Sequence, residues 1–215
     1  MTTLIIVRHG QSEGNAKGEF HGQYNSDLTE KGHAQAECTA KYLDKYNIDV
    51  IYSSDIRRAH STALHTANRR GMNVIKSEGM REIKAGKWEK MKFEDIAVHY
   101  PDIYKTWYED ISNCRCPEGE SVRELAHRVW QTVDKIAADN DGKTVMIATH
   151  ATPIRALTCL WRGLPVEEMQ NIRWVPNTSV TVVEYDNKGA YNVKLYGECQ
   201  HLLDAGLITE LPKNI

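Results

Sequence analysis

Short apolar runs that each give way to a helix-like stretch set the tightest limit on how this chain folds. Leu4 to Val7 leads through Arg8-His9-Gly10 towards a segment opened by Thr29, with Ala36, Ala40 and Leu43 spaced for one helical face and Asn47 closing it. Val50-Ile51-Tyr52 ends at Ser53-Ser54-Asp55, side chains suited to capping the helix that carries Arg57, Arg58, Ala59, Thr62, Ala63 and Ala67 before Gly71 stops it. A short strand follows around Val74-Ile75. Ser121-Val122-Arg123-Glu124 has the form of a capping box, and Val122, Leu125, Val129, Val133 and Ile136 mark the buried stripe of a long helix that ends at Asp141-Gly142. Val145 to Ala148 runs into Thr149-His150-Ala151-Thr152-Pro153 and a helix from Ile154 onward. Ser179 to Tyr185 alternates as a strand, and Asp186-Asn187-Lys188-Gly189 turns it back into Tyr191 to Tyr196; the last dozen residues carry no clear signal. The pattern predicts an α/β fold, a three-layer αβα sandwich with a mainly parallel central sheet.

The stretch from Ile83 to Glu120 breaks the alternation: it is rich in Lys, Trp and Tyr and interrupted by Pro101 and Pro117. It reads as a small helical lid inserted at about residues 84–120. With 215 residues in all, one domain over 1–215 accounts for the chain. The 27 Lys+Arg nearly balance 29 Asp+Glu, for a net charge of -2, so no long-range field draws the molecule to nucleic acid, and anion specificity has to be local. The amino terminus shows neither a basic leader nor a long apolar span, so a cytoplasmic protein with no membrane partner is expected. Five irregularly spaced cysteines argue for reduced thiols, and Cys114 and Cys116, separated by one residue, sit closer than a usual zinc knuckle. No metal is expected there, and a homodimer is compatible with this reading.

The chemistry lies in two segments of one plan, an apolar run followed by histidine and a small residue: Ile5-Ile6-Val7-Arg8-His9-Gly10 and Met146-Ile147-Ala148-Thr149-His150-Ala151. Were both strands parallel, both histidines would stand at the carboxyl edge of the sheet, where open α/β sheets bind ligands. Arg58 follows its own strand to that edge. Either histidine alone is more often structural, and an arbitrary arginine is more often solvated or paired with a carboxylate. Two histidines also suit a metal, but two guanidiniums beside them oppose a divalent cation and favour a dianion such as phosphate. A paired-glycine loop ending in Lys-Ser/Thr, the cradle of nucleoside triphosphates, is absent from the sequence.

Arg8-His9-Gly10-Gln11-Ser12-Glu13-Gly14-Asn15 resembles the signature of the histidine phosphatase superfamily, the phosphoglycerate-mutase-like enzymes. Further matches follow in the family's order through residue 155 or so: Asp27-Leu28-Thr29-Glu30-Lys31-Gly32, Ser53 to Ala59, Arg81-Glu82-Ile83 with Gly86, Pro117 to Ser121, and Thr149-His150. The resemblance implies that His9 is phosphorylated, that Arg8, Arg58 and His150 bind the phosphoryl oxygens, and that Glu82 handles the proton. It implies phosphate hydrogen bonds from Asn15 and the backbone at Ala151, and places His21 and Gly22 on the substrate side. Arg58 rather than Arg57 occupies the family's catalytic position, just before an alanine. Chemically the transfer is coherent. Neutral imidazole is a nucleophile near neutral pH, two arginines can fork onto equatorial oxygens, and a protonated His150 would add charge in the transition state. Glu82 would act as general acid and then base; the alternative is a surface ion pair with Arg81 or Lys84.

The chain departs from the family's pattern at Asn25 (often Asp), Asp27 (often Pro), Lys90 (commonly Gly) and Ala151 (usually Gly). Mutases of the superfamily carry a longer insertion after the Glu82 region, whereas this chain passes straight through Pro117-Glu118-Gly119-Glu120-Ser121 into its capping-box helix. The reading is a cofactor-free, metal-independent phosphomonoesterase acting on a small phosphorylated metabolite. Phosphoglycerate mutase is the alternative, and a catalytically idle phosphate-binding module a further one. Lys84, Lys87, Lys90 and Lys92, beside Trp88 and Phe93, form either a face that recognises an acidic or sugar substrate or, more commonly for such a run, a solvated one.

Overall fold

The computed structural model describes residues 1–186 and 188–209. Six strands among them form one sheet: β1 (Thr2–Arg8), β2 (Val50–Ser53), β3 (Val74–Lys76), β4 (Thr144–Thr149), β5 (Val180–Tyr185) and β6 (Tyr191–Glu198), in the order β3-β2-β4-β1-β5-β6. β3, β2, β4 and β1 are parallel neighbours, and β5 runs against both β1 and β6. The expected mainly parallel sheet is thus observed. Register aligns Arg8 with Thr149 and Ser53 with Ala148, so β1, β2 and β4 end together at one edge.

Alternation along the buried strands divides the core into two layers. Ile5, Val7, Ile51, Met146 and Ala148 face α2 (Glu30–Tyr42) and α3 (Arg57–Arg70), where Leu43, Ala63 and Ala67 close the packing. Leu4, Ile6, Val145 and Ile147 face the opposite way, onto α6 (Val122–Asp139) and α7 (Ala151–Trp161) through Val122, Leu125, Val129, Val133, Ile136 and Leu157. The predicted stripe of the long helix is the one buried.

Local signals explain most element ends. Thr29 Oγ1 accepts from Gly32 N at 3.0 Å, and Ser121 and Glu124 form the reciprocal capping box, with bonds of 3.2 and 2.8 Å. Gly71 takes a left-handed φ of 64° to close α3. At the start of α3 the expectation fails. Asp55 does not cap it; its carboxylate is bound by Arg81, and the Arg57 N–H donates instead to Asn25 Oδ1 at 2.8 Å. Ser54 Oγ contributes one bond, from Ile56 N at 3.3 Å. A cap from a residue 32 positions upstream cannot be read from the local run. α2 also ends at Tyr42, ahead of Asn47, because a 3-10 turn at Leu43–Lys45 takes over. A short helix after His9, α1 (Glu13–Lys17), has its own capping box between Ser12 and Asn15. In the β5–β6 turn Asp186 Oδ1 accepts from Lys188 N and Ala190 N, while Asn187 lies outside the described residues. The first of the featureless last dozen, Asp204, ends α8 (Gln200–Asp204), residues 205–209 follow directly on it, and 210–215 lie outside the described residues.

Between β3 and α6 the chain forms α4 (Phe93–His99) and α5 (Pro101–Glu109) flanked by 3-10 turns. Trp88, Ile96, Trp107 and Ile111 anchor this stretch in the same core layer as α6 and α7. Phe20 stacks into it, with ring centroids 5.3 Å from Trp88 and 5.0 Å from Trp107. Lys90, at a position where the family's pattern commonly has Gly, adopts a left-handed φ of 67° and lays its ammonium 3.8 Å from the Tyr24 ring. Among the described residues no helix is long and apolar enough to cross a membrane.

Candidate active site

His9 follows the last residue of β1 and is tied to β4 by its N–H, which donates to Thr149 O at 2.9 Å. Gly10 has no room for a side chain, because a Cβ would come within 2.5 Å of Gly32 O. The chain can therefore turn tightly beneath the imidazole. His9 Nδ1 lies 2.7 Å from Gly10 O, so that nitrogen carries the proton and donates. Nε2 keeps its lone pair and receives a bond from Arg58 Nε at 3.2 Å. Burial, then the charges of Arg58 and Arg8, hold His9 well below the ordinary imidazole value of 6.5.

Arg58, in the first turn of α3, is held by carbonyls: Nη1 donates to Tyr24 O at 2.9 Å and Nη2 to Gly22 O at 2.8 Å. Gly22 is needed for its backbone, with φ at 48° and a Cβ that would lie 2.4 Å from the Ala85 Cβ. Arg8 donates through Nη1 to Val175 O at 2.5 Å, while its buried Nε has no protein partner. Burial lowers each guanidinium to about 10, with Glu82 acting in the opposite direction, so both stay charged at neutral pH.

The His150 ring centroid lies 5.1 Å from that of His9. Its Nε2 is 2.9 Å from Ser54 Oγ, and its Nδ1 is buried without a partner. The expected protonated His150 is not what the site produces by itself. Full burial, then the charge of Arg58, push its pKa well below 6.5, so the ring is neutral. Glu82 is also buried, and it pairs with neither Arg81 nor Lys84. Its Oε1 accepts from Ile83 N at 2.8 Å and its Oε2 from Thr152 N at 3.3 Å, in the first turn of α7.

Arg8, His9, Asn15, His21, Gly22, Arg58, Glu82 and Ala151 line one cavity of about 250 Å³; His150, beside His9, is not among the lining residues. Asn15 Oδ1 accepts from Ser12 N at 3.2 Å and Ser12 Oγ at 3.0 Å, which leaves its amide N–H groups for the cavity. His21 sits directly on Gly14, where a Cβ would be 1.6 Å from His21 Nε2, and burial followed by Arg58 lowers it to about 4. Arg57, by contrast, forms an exposed ion pair with Asp27 at 3.0 Å. The lysine run does not reach the cavity: Lys87 pairs with Glu118 at 2.6 Å and Lys92 with Glu94 at 3.4 Å. That is the solvated-face alternative.

Several residues went unseen in the sequence. Arg128 on α6 grips Glu120 through Nε and Nη2 at 2.9 and 2.8 Å, and donates to the carbonyls of Gly79, Arg81 and Glu82. It thereby fixes the backbone that presents Glu82. Asn177 Nδ2 donates to His9 O at 2.8 Å. Phe20, Trp107, Tyr108 and Trp174, together with Phe93, which the sequence had already offered beside the lysine run, form an aromatic wall, and Glu19 joins it. For Ser54, its place at the end of a strand parallel to the one before His9 was a usable signal; for Arg128 and Asn177, whose partners are remote in sequence, there was none.

Cys38, Cys114, Cys116, Cys159 and Cys199 are all free thiols, and burial pushes Cys114 up to about 12. Among the described residues no group of three or more His, Cys, Asp or Glu side chains is arranged to hold a metal ion.

The family described as the histidine phosphatase superfamily (branch 1) matches residues 4–197. Phosphoserine phosphatase 1 of Hydrogenobacter thermophilus is 31% identical over 199 residues, covering 93% of this chain and 94% of that protein. A probable phosphoglycerate mutase of Erwinia tasmaniensis is 28% identical, covering 96% of this chain and 98% of its own. The solved structure of YhfR from Bacillus stearothermophilus superposes with a TM-score of 0.90 at 28% identity, over 94% of this chain and all of that one.

Proposed function

The chain belongs to the histidine phosphatase superfamily, and on that premise we propose that it hydrolyses phosphomonoesters of small metabolites through a phosphohistidine at His9. The carrying observation is the tautomer of His9: the Gly10 carbonyl fixes the proton on Nδ1, and the free Nε2 meets Arg58 inside the cavity. In the first step the Nε2 lone pair forms a bond to phosphorus as the bond to the alkoxide oxygen breaks. Arg8 and Arg58 share the negative charge of the equatorial oxygens, and the free amide of Asn15 and the amino end of α7 at Ala151 add donors. If Ser54 Oγ–H donates to His150 Nε2, the His150 proton sits on Nδ1, the buried nitrogen left to meet a phosphoryl oxygen. An arriving dianion raises the pKa of that ring, so that it takes up from solvent the second proton that the site otherwise withholds.

Glu82 protonates the departing alkoxide. Water then attacks phosphorus, gives its proton to the Glu82 carboxylate, and the N–P bond breaks, returning the electron pair to Nε2. Two guanidiniums supply the positive charge, so no step needs a metal ion. Residues 84–120 serve in this proposal as a lid whose Phe93, Trp107 and Tyr108 shield the phosphohistidine from bulk water, and the protein acts in the cytoplasm with its thiols reduced.

Phosphate release from p-nitrophenyl phosphate, with and without EDTA, tests the reading. Turnover that survives chelation and vanishes in His9→Ala is expected; an active His9→Ala protein would end it. The similarity to a mutase keeps a second reading in view. Interconversion of phosphoglycerates that depends on a 2,3-bisphosphate primer and outpaces phosphate release would favour it.

A further inference from the structure

Beyond the phosphoryl end, the cavity is charged in a way the phosphatase chemistry does not use. Among the described lining residues the only cations are Arg8, which donates to Val175 O, and Arg58, which donates to His9 Nε2 and Gly22 O. His21 is neutral above about pH 4. Glu19, by contrast, is a lining residue whose carboxylate has no hydrogen-bond or ion-pair partner among the described residues, and it shares the lining with Phe20, Trp107, Tyr108 and Trp174. Of the neighbouring cations, Lys17, whose charge reaches His21, is not among the lining residues, and the next two are occupied elsewhere. Lys92, across an isolated bridge from Glu19, is paired with Glu94 at 3.4 Å. Arg155 stacks 4.2 Å behind the Trp174 ring and donates to the carbonyls of Ile172, Met169 and Gln170.

We propose that Glu19 determines specificity, selecting phosphomonoesters whose alcohol carries an ammonium group and rejecting those with a second acid group. An ammonium finds there both a carboxylate and aromatic rings, a pairing that attracts cations in a partly desolvated site. A carboxylate or second phosphate on the alcohol would face Glu19 and Glu82, with no lining cation beyond the two arginines that hold the phosphoryl group. The inference rests on the phosphatase reading of His9 and separates this chain's preference from phosphoglycerate.

The test compares phosphoethanolamine with phosphoglycolate, which differ at the end of the same short chain in charge rather than bulk. For the wild-type protein kcat/KM should favour phosphoethanolamine by at least ~10-fold, the equivalent of about 1.4 kcal/mol. Glu19→Gln should collapse that ratio towards unity, and Glu19→Lys should invert it. Thermal melts of both variants establish that they are folded. A preference for phosphoglycolate in the wild type, or a ratio unmoved in folded Glu19→Gln and Glu19→Lys, overturns the role of Glu19 while p-nitrophenyl phosphate turnover dependent on His9 leaves the phosphatase intact. Absence of that turnover sinks the phosphatase reading, and this inference with it.

Discussion

Lowering the pH should destabilise this protein well before its carboxylates titrate, because His9 and His150 cannot take protons while folded. Both are buried, and both have pKa values well below the 6.5 they regain on unfolding. The sign follows from proton counts. Above pH 6.5 neither state binds a proton at these rings; as pH falls through that value the unfolded chain gains one at each and the folded chain gains none. Stability is therefore present at alkaline pH and lost on acidification. At about pH 5.5 the loss is about 1.4 kcal/mol for each ring, or about 3 kcal/mol for the pair, relative to about pH 8. His21 and His201, both lowered to about 4 chiefly by burial, act with the same sign. Urea unfolding followed by circular dichroism at the two pH values measures the gap. His150→Asn should narrow it by about 1.4 kcal/mol. Saturating inorganic phosphate should narrow it too, by holding a proton on His150 in the folded state. A gap under about 1 kcal/mol, or one untouched by His150→Asn, would refute the assignment of these rings as neutral buried bases.

Glu82→Gln should slow alkyl phosphates by about 10²- to 10⁴-fold while costing far less on p-nitrophenyl phosphate, whose leaving group needs no proton; equal losses in kcat/KM on both would count against the general acid. Arg128→Ala strands Glu120 and three backbone carbonyls, so it should destabilise the fold by about 2–4 kcal/mol and weaken turnover of poor leaving groups more than good ones, as denaturation and paired kinetics can check. Gly14→Ala should drive the His21 ring off its seat, since the new Cβ would fall 1.6 Å from Nε2. The expected results are a raised KM and a stability cost of about 1–3 kcal/mol; an unchanged KM would show that His21 has room to move elsewhere.

How far the site could be read in advance depended on the range of the interactions that build it. Strand ends are local, so β1 and β4 placed His9 and His150 at one edge once the sheet was known to be parallel there. Arg58 followed because β2 pairs with β4 and delivers α3 to the same edge. The cap of α3 was misread, since its acceptor, Asn25, comes from a loop folded across it. Arg128 is illegible in the sequence for a similar reason: its five acceptor atoms are three carbonyl oxygens and the two carboxylate oxygens of Glu120, which only the packing of α6 brings together.

The amino-acid sequence determined the class of sheet, the buried stripes and the identities of the reacting groups, because apolar periodicity and side-chain chemistry are properties of short segments. Tertiary structure alone decided their states. Whether a histidine is charged, which of its nitrogens holds the proton, and whether a carboxylate such as Glu19 stands free or paired depend on burial and on neighbours remote along the chain. Those quantities arise only when the chain closes on itself, since the same imidazole in water would carry neither the desolvation cost nor the field of two arginines.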